Sequence, residues 1–154
     1  MRPPVAAQPT ILVAEDSKYD RMILNEAFAE LDFQVTLKFV SDGQEVLDYL
    51  QKQKEYQGDE TNLPPVLILM DLNMARMNGI EATRALRADV TLRVLPIIVL
   101  STSDSPRQIA LAYATGVNSF LTKPCDFDDL VELLRRFGAY WLESAKLPNL
   151  TAAP

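Results

Sequence analysis

The sequence predicts an α/β domain: a doubly wound, five-stranded parallel sheet with helices on both faces. Three observations predict it. Short apolar runs and longer helical stretches alternate five times along the chain. The runs TILVA, VLILM and LPIIVLS are continuously β-branched or apolar, as strands covered on both faces should be. Right-handed crossovers between parallel strands then send the intervening helices to the two faces.

Residues 1–9 are rich in Pro and Ala and read as a flexible arm. Thr10 to Ala14 forms the first strand. Ser17 caps the following helix, with Asp20 in its first turn, and that helix runs to about Leu31. Phe33 to Val40 is a second strand whose partial alternation places it near an edge. Asp42-Gly43 is a turn, and a helix follows to about Lys54. Glu55 to Pro65 is a polar loop before the third strand, Val66 to Met70. A helix at about 78–88 precedes the fourth strand, Leu95 to Ser101. Pro106 opens a helix that ends near Gly116. Ser119 to Lys123 is the fifth strand, and the last helix runs from about Asp126 to Ser144. The domain thus spans 10–145, with a tail at 146–154.

Composition narrows the chemistry. In 154 residues there are no histidines, which removes Ser-His-Asp and Cys-His catalysis and zinc sites built on His. The formal net charge of -6 argues against a nucleic-acid surface. The lone Cys125 allows no intrachain disulfide, and its use suits a reducing, cytoplasmic setting. No apolar run reaches the length of a membrane span, and the N-terminus has no apolar signal-peptide region. Asn149-Leu150-Thr151 matches a glycosylation acceptor by pattern, and chance explains it. Lys38, Arg76, Arg84, Arg87, Arg93 and Arg107 are scattered and read as solvated surface.

In an open α/β sheet, function collects at the carboxyl ends of the strands. The first strand ends in Glu15-Asp16, the third in Asp71, the fourth in Ser101 and the fifth in Lys123-Pro124. Crowded carboxylates repel, and a hard divalent cation such as Mg²⁺ relieves the repulsion. A lysine neutralises phosphate oxygens and a serine donates to them. The set suits phosphoryl transfer onto Asp71, since carboxylates form acyl phosphates. Taken singly, each residue has a plainer role: a cap, a turn residue or a solvated charge. Their arrival at the same end of successive strands is what favours the chemistry.

The pieces ILVAEDS, VLILMDLNM…MNG, LPIIVLST and FLTKP, in this order and spacing, resemble the receiver domain of two-component response regulators, a flavodoxin-like fold. The resemblance covers about 10–142. It implies that Asp71 is the phosphoacceptor and that a partner sensor histidine kinase supplies the phosphoryl group. It implies Mg²⁺ held by Asp16, Glu15, Asp71 and the backbone carbonyl of Asn73. Lys123 matches the phosphate-binding lysine, Ser101 the hydroxyl that moves onto the phosphoryl group, and Phe120, two residues after Asn118, the aromatic switch. A cis peptide is implied at Lys123-Pro124. The sequence departs from the pattern at Ala75, where the family usually has proline, and this implies a more mobile loop after Asp71. Ser103 is not acidic, at a position that tunes phosphoryl lifetime in the family. The motifs DLNM and VLSTS, the loop EYQGDETNLPP and the ending YWLESAKLP are similar to the small regulators paired with phytochrome kinases, which implies a bacteriophytochrome as partner.

Three other readings compete. An Asp-nucleophile phosphatase usually has Asp two residues beyond the nucleophile, and here that residue is Asn73. A mononucleotide-binding domain lacks its phosphate-cradling loop, because the five glycines form none. A receiver acting only as a binding module, without phosphorylation, leaves the full acidic set and Lys123 unexplained. On the last helix, Phe127, Val131, Leu134 and Trp141 fall on one face and read as core. Leu133, Phe137 and Tyr140 form a neighbouring stripe. That stripe is either a broad core edge or a homodimer surface on the face of the fourth helix, fifth strand and fifth helix.

Overall fold

The computed structural model describes residues 8–52, 58 and 63–150. Most of the predicted arm, the end of the predicted second helix, much of the loop at 55–65, and Thr151 with the rest of the tail lie outside the described residues. Five strands, β1 (Thr10–Ala14), β2 (Thr36–Val40), β3 (Leu67–Met70), β4 (Ile97–Ser101) and β5 (Ser119–Thr122), form one sheet in the order β2-β1-β3-β4-β5. All neighbouring pairs are parallel. Five helices connect or follow them: α1 (Lys18–Ala29), α2 (Gly43–Leu50), α3 (Gly79–Ala88), α4 (Pro106–Thr115) and α5 (Phe127–Gly138). No described helix is long and apolar enough to cross a membrane.

The period of two along each strand divides the core. Leu12, Ala14, Ile68, Met70, Ile97 and Val99 face one way, onto Val46 and Tyr49 of α2 and Ala82 and Leu86 of α3. Their neighbours Ile11, Val13, Leu67, Leu69, Ile98 and Leu100 face the other, onto Leu24 and Phe28 of α1 and Leu130 and Leu134 of α5. Both faces of β1, β3 and β4 are therefore buried, as their continuous apolar runs predicted. Each such Val, Leu, Ile, Phe or Met side chain contributes about 1.5–3 kcal/mol on leaving water.

Every helix start is fixed by a side-chain oxygen that accepts a backbone N–H. Ser17, Asp42, Asn78, Ser105 and Asp126 do this for α1 to α5 in turn. Pro106 takes the first position of α4, as predicted. At the start of α3, Gly79 lies against the Asp71 carbonyl and Leu72, and a Cβ there would strike both. The missing side chain lets α3 begin directly beside the end of β3.

The loop between them is pinned despite Ala75. Arg76 adopts a left-handed backbone (φ 59°), and its Nε donates to Asp42 Oδ2 at 2.7 Å. The Gly43 amide donates to the Met77 carbonyl at 2.8 Å. Asp42 is buried, and its other oxygen accepts the Glu45 amide at 2.9 Å. Burial alone would raise its pKa. The Glu45 amide and the Arg76 guanidinium outweigh burial and hold the carboxyl below its ordinary value.

Arg87 is likewise no solvated bystander. It donates to the carbonyls of Gly116, Arg93 and Leu95 and to Asn118 Oδ1, at 2.8–2.9 Å. Asn118 Oδ1 also accepts the Ile97 amide at 2.9 Å. One guanidinium thus ties α3 to the entry of β4 and the entry of β5. Its reach across 31 residues of sequence is why composition alone misread it.

Three other differences from the sequence reading have local causes. The second strand is shorter than Phe33 to Val40, because β1 offers only five partners, Thr10 to Ala14. Phe33 instead lies on α5 over Gly138, where a Cβ would overlap its ring. The last helix stops being α-helical at Gly138 and widens into a π-helical turn, Ala139–Ser144, closed by the Ala145 amide on the Tyr140 carbonyl at 2.7 Å. The buried stripe of α5 is Leu130, Leu134 and Phe137, which shares Leu134 with the predicted face. Phe127, Val131 and Trp141 are only partly buried beside it.

Burial divides the neighbouring stripe and favours the broad core edge of the two readings. Phe137 is 4% exposed and meets the Phe28 ring edge-on at 6.4 Å, so it belongs to the α1–α5 core. Leu133 is partly buried against that core, and only Tyr140 lies out at 58% exposure. The stripe therefore presents no continuous apolar surface. Past α5, Leu147 packs on the α1–α5 core and Leu150 on the opposite one.

Phe137→Ala should cost about 3–5 kcal/mol in urea denaturation, as an aromatic deleted from a closed core does. Tyr140→Ala should cost about 1 kcal/mol or less. A depressed Asp42 pKa contributes stability above the unfolded value, and that contribution is lost as pH falls through the folded one. The urea midpoint of wild type should therefore exceed that of Asp42→Asn most at neutral pH. The gap should narrow below about pH 4.

Candidate functional site

The carboxyl ends of β1, β3, β4 and β5 carry the polar residues that the sequence singled out. Glu15 and Asp16 follow β1, and Asp71 follows β3. The Asp71 amide donates to the Ala14 carbonyl at 3.0 Å, so the ladder between β1 and β3 continues to the acid itself. This answers why a buried strand ends on a carboxylate: the backbone is held by the sheet while the side chain reaches its rim. One carboxylate oxygen from each of Glu15, Asp16 and Asp71 lies within 4.8 Å of the others.

The three acids differ in setting. Glu15 is 2% exposed, Asp71 is half-buried and Asp16 is exposed. Burial raises the pKa of Glu15, and nearby Asp71 adds to that; Lys123 and the Ser17 amide oppose it. Burial also raises the pKa of Asp71. The Asn73 amide, which donates to its Oδ1 at 3.2 Å, and Lys123 offset this in part. Both acids are held above their ordinary values. Their ionised forms are disfavoured where they stand, and a cation is what would relieve them.

Lys123 arrives from the end of β5. Its amide donates to the Ser101 carbonyl at 2.7 Å, extending the β4–β5 ladder by one bond. The Nζ lies 3.2 Å from Glu15 Oε2 and 3.8 Å from Asp20 Oδ2. Its side chain is only 11% exposed. In the sequence Asp20 is a first-turn helix acid, and only the packing of α1 against this edge brings it in. The Lys123-Pro124 peptide is trans, because no described peptide bond is cis; this corrects the expected cis isomer. A tertiary amide prefers trans by about 0.5–1 kcal/mol.

Ser101, at the end of β4, is fully buried, and its Oγ accepts the Ser103 amide at 3.2 Å. Phe120, on β5, is partly buried against the core on the α2–α3 side. Its amide donates to the Tyr113 hydroxyl at 3.1 Å, so the outer edge of β5 is capped by α4. Cys125 is exposed and makes no part of the acid cluster. The arrangement can present a carboxylate nucleophile at Asp71, hold a hard cation among oxygens and offer one ammonium to an incoming anion.

Comparison with known proteins agrees with this geometry. Residues 11–135 match the response regulator receiver domain family. Response regulator Rcp1 of Synechocystis is 33% identical over 138 residues, covering 90% of this chain and 92% of that protein. The crystal structure of RPA3017, a response regulator in red light signalling of R. palustris, superposes with a TM-score of 0.87 at 42% identity and covers 92% of this chain and 99% of that one. The phosphorylated cyanobacterial phytochrome response regulator RcpA gives a TM-score of 0.84 at 33% identity, covering 93% and 100%. The Mn²⁺-bound form of Rcp1 gives 0.81 at 32% identity, covering 92% and 99%. The chain belongs to the response regulator receiver family, whose members take a phosphoryl group from histidine kinases and bind a divalent metal.

Proposed function

We propose that this receiver takes a phosphoryl group on Asp71 from a phytochrome-type sensor histidine kinase, in a Mg²⁺-dependent reaction that its own residues assist. The observation that carries the reading is the meeting of three carboxylates within 4.8 Å beside one nearly buried ammonium. Glu15, Asp16, Asp71 and the Asn73 carbonyl would hold the cation. When bound, it would neutralise the acids and draw charge from the phosphoryl oxygens.

The transfer itself is simple in atoms. An Asp71 oxygen attacks phosphorus, the bond to the kinase imidazole breaks, and its electron pair stays on the imidazole. Lys123 offers its ammonium to a phosphoryl oxygen. The Ser101 hydroxyl, now accepting from the Ser103 amide, donates to another. Water attack on the same phosphorus returns the carboxylate. Sheet ladders fix the backbone at Asp71 and Lys123, so the chain's contribution is positioning.

Output runs through contact. Movement of Ser101 and Phe120 alters the α4–β5–α5 face, where Leu111 and Tyr113 of α4 are 46% and 48% exposed. We assign the receiver to residues 10–145, with 1–9 as arm and 146–154 as tail, and place it in the cytoplasm with its kinase. The kinase class rests on likeness to RPA3017 and RcpA, named for red light signalling and for phytochrome.

Intact mass after incubation with acetyl phosphate and Mg²⁺ tests the reading. One phosphoryl adduct should form on wild type, none on Asp71→Asn, and none when the metal is chelated. Folded wild type that gains no adduct and binds no beryllofluoride would leave a phosphorylation-independent binding module as the better account.

A further inference from the structure

Lys123 has a second acidic partner that the reaction above does not use. Among the described residues its ion pairs are with Glu15 at 3.2 Å and Asp20 at 3.8 Å, and no Asp71 oxygen lies within 4.0 Å. Asp20 is fixed by a closed ring of contacts. The Ser17 amide donates to Glu15 Oε1 at 3.1 Å, and Ser17 Oγ accepts the Asp20 amide at 3.2 Å. Asp20 Oδ2 then faces Lys123, and Lys123 returns to Glu15 Oε2. The turn that starts α1 therefore also brings a second carboxylate to the ammonium, 3.8 Å from its Nζ.

An ammonium has three donors and one charge to share. A phosphoryl group on Asp71 needs that charge. Glu15 belongs to the proposed cation's ligands, so its claim on Lys123 weakens once the site is loaded. Asp20 has no such second duty. We propose that Asp20 is a positioning residue that competes with the Asp71-bound phosphoryl group for Lys123, and so sets how tightly the phosphorylated state is held. This rests on the phosphoacceptor reading of Asp71. The plainer role for Asp20, an acid favoured by the α1 dipole, makes a different prediction.

The test is calorimetric titration with beryllofluoride, a phosphoryl mimic, in saturating Mg²⁺. Wild type is compared with Asp20→Asn, Asp20→Glu and Asp128→Asn, with folding of each confirmed by circular dichroism. Asp128 is the matched control: it is an exposed first-turn acid, of α5, that makes no ion pair with Lys123. Removing a partly exposed ion pair of this kind changes binding by about two- to fivefold. Asp20→Asn should bind beryllofluoride that much more tightly, while Asp20→Glu, which restores the carboxylate, and Asp128→Asn stay at the wild-type affinity. Unchanged or weaker binding by Asp20→Asn, or the same gain in Asp128→Asn, would overturn the proposal. Absence of binding by folded wild type would instead remove the phosphoacceptor reading beneath it.

Discussion

The constraint on which the rest depends is the crowding of Glu15 and Asp71 at the rim of a buried sheet. Two strands that are apolar on both faces end directly on acids, and the sheet holds Glu15 and Asp71 where solvent does not fully reach them. Glu15 is almost wholly buried, and burial raises both carboxyls from their ordinary values by disfavouring their charge. One ammonium, Lys123, stands against them. The site is thus short of positive charge, and a cation or the rearrangement that follows phosphoryl transfer can act on it because of that shortage. A relaxed, fully paired cluster would have no reason to respond.

The frame is rigid where the chemistry needs it. Ladder bonds run on to Asp71 and Lys123, α3 starts against the Asp71 carbonyl through Gly79, and Arg76 clasps the intervening loop to the cap of α2. The groups proposed to respond are side chains: the Ser101 hydroxyl, which accepts a single amide, Phe120 on β5, and Lys123 between two acids. A fixed backbone carrying side chains that reposition would turn a local charge change into an altered surface.

Much of this was legible in the sequence, for a physical reason. Doubly covered strands write unbroken apolar runs, and a capping Ser or an early Pro marks a helix start, so the five strands and five α-helices could be located locally, though not the start of β2 or the end of α5. Glu15, Asp16, Asp71 and Lys123 fell together because topology alone brings strand ends to one edge. Long-range partners left no such mark. Arg87 looked like surface because its carbonyl partners lie on other elements. On α5 the core reading holds at Leu134, but Phe127, Val131 and Trp141 are only half-buried, whereas Phe137 goes inward to meet Phe28. Asp20 read as a helix-start acid, which it also is.

With its acids ionised, the cluster should cost the fold stability until a cation joins it. Thermal unfolding at neutral pH, with and without Mg²⁺, tests this most directly on wild type and Asp71→Asn. A carboxyl whose pKa is raised in the fold destabilises once ionised, so the neutral isostere should unfold at a higher temperature than wild type without metal. Mg²⁺ should then raise wild type, by about 2.7 kcal/mol at a hundred times its dissociation constant, and raise the variant less. A variant less stable than wild type without metal, or a wild type indifferent to Mg²⁺, would contradict the account.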